Sequence, residues 1–189
     1  MPEDRLRNDD EIDAALVHRA RAGDDRAFGE LVRRHERHAQ QLATFLIGST
    51  SEVGDVTQEA FLLAYTRLPK LDDGRAFRPW LMRIVANTAK NRMRAASRRI
   101  RRDRRVQAFA IVPALLPDEH AVLGADANAL WHALGALDDR ERIVIALRFA
   151  AGMSEAETAT ALGIPAGTVK SRTARGMATL RNTMGAARD

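Results

Sequence analysis

Apolar side chains recur every three or four residues along almost the whole chain, and no stretch of any length alternates apolar with polar residues as a strand would. This spacing predicts an all-α fold. Ile12, Ala15, Leu16 and Ala20 form a short stripe that ends before Gly23. Phe28, Leu31, Val32, His35, Ala39, Leu42, Ala43 and Leu46 form a longer one, stopped at Gly48. Val56, Ala60, Leu63, Ala64 and Leu68 form a third, closed by Pro69, which cannot extend a helix interior. Residues 70–75 contain Asp72, Asp73 and Gly74 and read as a loop. A fourth helix is expected to begin near Phe77 or Pro79 and to bury Trp80, Leu81, Ile84, Val85 and Thr88.

Between residues 106 and 125 the periodicity fails, and Pro113, Pro117 and Gly124 interrupt the pattern. A second helical unit follows, with stripes at Leu130, Leu134 and Leu137, at Ile143, Val144 and Leu147, at Ala156, Ala159 and Leu162, and at Val169, Thr173 and Leu180. The organisation expected is an acidic lead-in with a first helix (1–26), a helical domain (27–99), a linker (100–126) and a four-helix domain (127–185). The linker is unusually apolar, with Phe109, Ile111, Val112, Leu115 and Leu116. Apolar patches of that kind usually mark contacts, so the segment is expected to be covered.

The 189 residues contain no cysteine, which excludes disulfides and thiolate zinc sites. No apolar run approaches the roughly 20 residues of a membrane span, and residues 1–13 are acidic without an export-signal pattern. A cytoplasmic location without membrane insertion is expected. No enzyme constellation can be assembled: there is no cysteine nucleophile and no phosphate-binding glycine pattern, and the acids are scattered. His35 and His38 flank Glu36 on one helix, but core and surface roles account for them better than a metal does. Neither catalysis, cofactor nor metal is expected.

Charge is distributed unevenly. Residues 92–105 hold eight arginines against Asp103, and residues 166–189 hold four arginines and Lys170 against Asp189. The remainder is net acidic, although the whole chain carries +5. Two basic segments on an acidic body are consistent with two polyanion contacts, or with two solvated faces.

The C-terminal segment separates these readings. Ser154 followed by Glu157 has the capping-box pattern of a helix start. Gly163 can take left-handed backbone in a tight turn, and Pro165 favours entry into a new helix. In that next helix Val169 and Thr173 fall inward, while Lys170, Ser171, Ala174 and Arg175 fall outward. This is helix-turn-helix spacing, in which the second helix enters the major groove by its N-terminal end. Lys170, Ser171 and Arg175 are the candidate base readers, with Thr168 and Arg172 placed for phosphates. On the fourth helix, Arg83, Asn87, Lys90, Arg94 and Arg98 recur at steps of three or four and form a basic stripe opposite Trp80, Ile84 and Val85.

Two stretches carry a family resemblance. Residues 55–61 (DVTQEAF) and 76–91 (AFRPWLMRIVANTAKN) resemble the second conserved region of extracytoplasmic-function sigma factors. Residues 163–172 (GIPAGTVKSR) resemble the fourth region. The likeness spans about 27–99 and 128–180, and residues 87–91 look most like the sigma-E type. The resemblance implies a non-catalytic initiation factor that binds core RNA polymerase at the β′ clamp helices and β flap. It also implies recognition of the −35 and −10 elements of promoter DNA, and control by an anti-sigma factor. Residue by residue, it implies polymerase binding by Asp55, Gln58, Glu59, Phe61 and Leu62. It implies −10 binding by Phe77, Trp80, Arg83, Asn87, Lys90, Asn91 and Arg94, with the loop 70–76 holding an unstacked base. The −35 set is Thr168, Lys170, Ser171, Arg172 and Arg175. Gly54 departs from the family's usual acid, Gly176 interrupts the recognition helix, and Ala174 is small there. The competing reading is a stand-alone helix-turn-helix regulator with an N-terminal sensor or dimerisation domain.

Overall fold

The computed structural model describes residues 2–48, 51–106 and 125–186. Eight α-helices run in chain order, with no strand among the described residues: α1 Pro2–Arg21, α2 Asp25–Ile47, α3 Val53–Arg67, α4 Phe77–Val106, α5 Ala125–Gly135, α6 Asp139–Ile145, α7 Glu155–Leu162 and α8 Ala166–Ala186. No described helix is long and apolar enough to cross a membrane.

Each boundary has a local cause. The Asp24 carboxylate caps α2 by accepting from the backbone N–H groups of Arg26 and Ala27. Gly48 ends α2 in left-handed backbone at φ 71°, a region that a side chain disfavours. The α3 start has no side-chain cap, because the carboxylate of its N-cap residue Glu52 pairs with Arg92 instead. Two short 3-10 turns, Leu68–Lys70 and Gly74–Ala76, bracket the loop between α3 and α4. The fourth helix continues to Val106, past the boundary expected at residue 99, because arginine is a good helix former. The apolar run from Phe109 to Leu116 lies outside the described residues.

The four N-terminal helices enclose one core of Leu31, Leu42, Val56, Leu68, Phe77, Leu81, Met82 and Val85. Four expected stripe positions are exposed rather than in the core: Ile12, Ala15, Leu130 and Ala156. Helix α1 is fixed to α2 by a buried network. The Asp13 carboxylate, 2% exposed, lies 2.6 Å from His35 Nε2 and accepts from Arg34 Nε at 2.9 Å. His35 also packs on Phe77, with ring centroids 5.4 Å apart.

The second domain folds around Ala133, Leu134, Leu137, Ile145 and Leu180. Gly176 of α8 sits so close to α6 that a Cβ there would lie 2.9 Å from Ile145. The interhelical fit therefore explains a glycine that otherwise costs a helix about 1 kcal/mol relative to alanine. A single wider, π-type turn, Ala146–Ala150, joins α6 to the next loop.

The two domains are packed together. Ala146, Leu147, Ala151, Met153 and Ala161 belong to the same buried cluster as the N-terminal core. Helix α4 lies against α7, and α2 against the π-type turn. Arg78, at the start of α4, clasps the junction. Its guanidinium donates to Glu157 Oε1 at 2.8 Å, to the Ala151 carbonyl at 2.8 Å and to the Gly152 carbonyl at 3.3 Å.

Candidate nucleic-acid interface

The helix-turn-helix is α7, the turn 163–165 and α8. Ser154 Oγ accepts from the Glu157 N–H at 3.2 Å, and Glu157 Oε2 accepts from the Ser154 N–H at 2.7 Å, completing the capping box. Gly163 adopts φ 62°, the left-handed turn expected of it. Val169 is fully buried and Thr173 half-buried, so the start of α8 is held by its inner face. Lys170, Ser171, Ala174 and Arg175 are exposed on the opposite side, while Thr168 and Arg172 are half-buried at its edges. Arg175 reaches back to Glu141 of α6 at 3.5 Å, yet its side chain remains 66% exposed. So exposed a pair contributes little stability and releases its guanidinium readily. Ser171 Oγ donates to the Thr168 carbonyl at 3.1 Å, which leaves its oxygen lone pairs facing outward.

The second surface is the outer face of α4 with the preceding loop. Arg83, Asn87, Asn91 and Arg94 are exposed and Lys90 is half-buried, so the stripe stands as one solvent-facing row. The loop presents Asp72 and Asp73 at its tip, while Leu71 on one side is buried. Phe77 does not fit the direct −10 contact that the resemblance implies for it. It is 0% exposed, wedged between His35 and Trp80, and offers no open face. Its length of apolar ring is better satisfied in the core, where burial of such a side chain contributes about 1.5–3 kcal/mol. Trp80 is half-buried beside it, ring centroids 5.8 Å apart, and keeps part of its surface open.

The third surface is α3. Asp55, Gln58 and Glu59 are exposed, and Phe61 is half-buried. Leu62, 61% exposed, and Tyr65, 45% exposed, give this face an apolar as well as an acidic part. Leu62 borders a groove of about 520 Å³ between α2 and α3, lined also by Phe28, Val32, Thr57, Phe61 and Tyr65. Tyr65 donates to Asp25 Oδ1 at 2.7 Å and meets Phe28 edge-on, which fixes the rim of the groove. Arg92 of α4 pairs with Glu52 at 3.1 Å and with Asp55 at 3.6 Å, tying the start of α3 to the helix that carries the basic stripe.

Sequence reasoning missed the Arg78 clasp and the cleft beside it. The cleft, about 630 Å³, lies between α2 and the second domain and is lined by His38, Gln41, Phe45, Trp131, Phe149 and Gly152 among others. Phe149 is 56% exposed there. No local pattern marks Arg78, because its partners lie more than 70 residues away in sequence. The only signal available was indirect: an arginine set among the apolar residues of a helix start.

The chain has been compared with known proteins. The family description Sigma-70 region 2 matches residues 31–99, and Sigma-70, region 4 matches residues 127–180. The chain is 36% identical to the RNA polymerase sigma factor NccH of Alcaligenes xylosoxydans xylosoxydans, over 91% of this chain and 94% of that protein. It is 32% identical to the extracytoplasmic-function (ECF) RNA polymerase sigma-E factor of Escherichia coli (strain K12), over 90% of this chain and 93% of that one. In structure it is similar to CnrH, solved in complex with the cytosolic domain of CnrY. The TM-score is 0.72 at 29% identity, covering 93% of this chain and 98% of that chain.

Proposed function

The chain belongs to the extracytoplasmic-function group of the sigma-70 family, and from that premise we propose how its surfaces divide the work. It is an alternative sigma factor, a DNA-binding transcription initiation factor that works with RNA polymerase rather than a classical enzyme. We place its work in the cytoplasm, where polymerase and promoters meet. The domains are 27–99 for polymerase and the −10 element and 127–185 for the −35 element, joined by the linker 100–126 and led by 1–26.

Polymerase docks on α3. Asp55, Gln58 and Glu59 supply charge and polarity, and Leu62 with Phe61 supplies the apolar anchor that a polymerase helix would cover. The α8 start reads the −35 element through Lys170, Ser171 and Arg175, with Thr168 and Arg172 on phosphates. The α4 row of Arg83, Asn87, Lys90, Asn91 and Arg94 follows the −10 strand, and the loop 70–76 receives an extruded base. Trp80 is the aromatic group available to that base, and Phe77 supports it from beneath. The observation that carries this reading is the outward display of all three surfaces on one compact chain.

The packed arrangement is proposed as a resting form. The −10 and −35 elements are separated by about 25 base pairs, or about 85 Å at 3.4 Å per pair. The Arg78–Glu157 contact instead holds the start of α4 against the start of α7. The domains must therefore part before both elements are read together. A bound partner, as CnrH has in the cytosolic domain of CnrY, would hold them closed here if it is an anti-sigma factor, and the cleft at Trp131 and Phe149 is the apolar opening such a segment would fill.

Run-off transcription with purified core polymerase on genomic promoter fragments tests the reading. Transcripts should require both core enzyme and this chain. Sequence-specific binding to double-stranded promoters without core would favour a stand-alone regulator. Within the scheme, Glu59→Lys should reduce copurification with core about tenfold without loss of helicity, since reversing a rim charge opposes a complementary partner.

A further inference from the structure

Helix α1 lies outside the residues matched to the family, which begin at 31. Its packing nonetheless centres on the loop 70–76. On the loop's C-terminal side, Gly74 sits directly against α1: a Cβ there would lie 2.8 Å from the Ala14 Cα and 3.3 Å from the Ala14 carbonyl oxygen. Those are backbone atoms that cannot turn aside. On the N-terminal side, Arg21 Nη1 donates to the Leu71 carbonyl at 3.2 Å. Ala14 and Arg21 are seven residues apart, two helical turns, and so share one face of α1. The tip residues Asp72 and Asp73 stay exposed between these supports. An adjacent face of α1 is anchored by buried Asp13 to Arg34 and His35, and His35 packs on Phe77, where the loop re-enters α4. The loop is thus gripped at both ends by one helix, and that helix is itself pinned to the core.

We propose that Ala14 and Arg21 of α1 are positioning residues for the −10 loop, setting its shape and thereby the base it accepts. The inference rests on the reading of that loop given above. Extruding a base costs a few kcal/mol, which only a pocket already in the right shape recovers. The loop has no sheet or disulfide to supply that shape. Helix α1 supplies it, so −10 specificity depends on residues that read no base themselves.

The test uses holoenzyme reconstituted with core polymerase and a promoter library with the −10 positions randomised. Gly74→Ala forces the loop away from Ala14 and should lower discrimination at the base-accepting position about tenfold. Core copurification and −35 dependence should be unchanged. Arg21→Ala, an exposed change that leaves the core intact, should lower discrimination about threefold, and Arg21→Lys should restore most of it. A purely structural role would instead lower open-complex yield equally on every library member. That equal loss would overturn the inference, as would full discrimination in both Gly74→Ala and Arg21→Ala. Replacing Asp72 and Asp73 with Gly and Ser separates the two levels. If this replacement abolishes discrimination while the α1 variants do not alter it, the loop reading stands and the α1 role falls. If it leaves discrimination intact, the loop reading fails and takes the inference with it.

Discussion

The two regions proposed to face DNA are built by opposite routes. The helix-turn-helix takes its caps and its turn from neighbours in sequence: Ser154 and Glu157 cap each other, Gly163 makes the turn, and Val169 seats the next helix. The loop before α4 is specified by residues distant in sequence: Ala14 against Gly74, Arg21 on Leu71, and the Asp13–His35 pair under Phe77. A motif of local contacts can be moved between proteins and still fold. A loop held by distant packing takes its shape only within its own core, so disturbance in that core should reach it while leaving the other reading surface untouched.

The largest expected effect comes from the buried network under the loop. Asp13→Ala leaves His35 and Arg34 without the carboxylate that both use. Removing one partner of a buried ionic group costs about 3 kcal/mol or more. Urea unfolding should show that loss, and −10 binding should weaken with it while −35 DNA binding by the intact second domain persists. Equal loss at both elements would break the comparison.

Next in size is Gly176→Ala. Although alanine is the better helix former, its Cβ would meet Ile145 at 2.9 Å, and overpacking of this kind costs about 1–3 kcal/mol. Stabilisation in a thermal melt would show that α6 and α8 are not pressed together. Ser154→Ala removes a single cap bond and should cost about 1 kcal/mol. It confines the damage to the helix-turn-helix, which sharpens the contrast with Asp13→Ala.

These positions also show what sequence can and cannot convey. The caps, the glycine turns and the inward Val169 were legible because each depends on residues within one or two turns of helix. The exposed rows on α3, α4 and α8 were legible because 3.6-residue periodicity sorts faces. Phe77 was placed among the −10 contacts by resemblance, and a matching motif does not say whether another helix covers the ring. Gly176 gave a partial signal: a glycine inside a helix pattern implies close approach, but not to which neighbour. Arg78 gave only an indirect one, and Ala14 and Arg21 gave none, because their partners are set by tertiary packing alone.

Base reading is expected to separate arginines on α8. Arg175→Ala should relax preference at one −35 position by about 1–3 kcal/mol, because a bidentate contact is lost. Arg172→Ala should weaken all sequences alike and reduce the salt slope by about one unit. Competition binding with holoenzyme across −35 variants measures both. Identical, sequence-blind losses would remove Arg175 from the reading set.

The smallest expected effect lies at the domain junction. His38 is held below the ordinary histidine range, first by burial and then by the Arg78 cation, with His35 and Arg37 adding to the repulsion and Glu157 opposing it. Its buried Nδ1 meets no partner among the described residues. The folded form therefore binds a proton less readily than the unfolded chain does. This contribution is complete above about pH 6.5, the ordinary histidine value, and declines as pH falls through that value toward the depressed one. Asp10 has the opposite sign. Burial first, then the neighbouring Glu157 and Asp13 carboxylates, hold it above its ordinary range, so its contribution is present at low pH and is lost as pH rises through its folded value. Acidification from pH 7.5 to 5.5 should therefore lower the urea midpoint through His38. His38→Gln keeps a polar side chain in the cleft and removes the titration, so its midpoint should be flat or rise over the same interval. A decline of equal size in the variant would place the pH sensitivity elsewhere and leave the Arg78 junction indifferent to the charge of its neighbour.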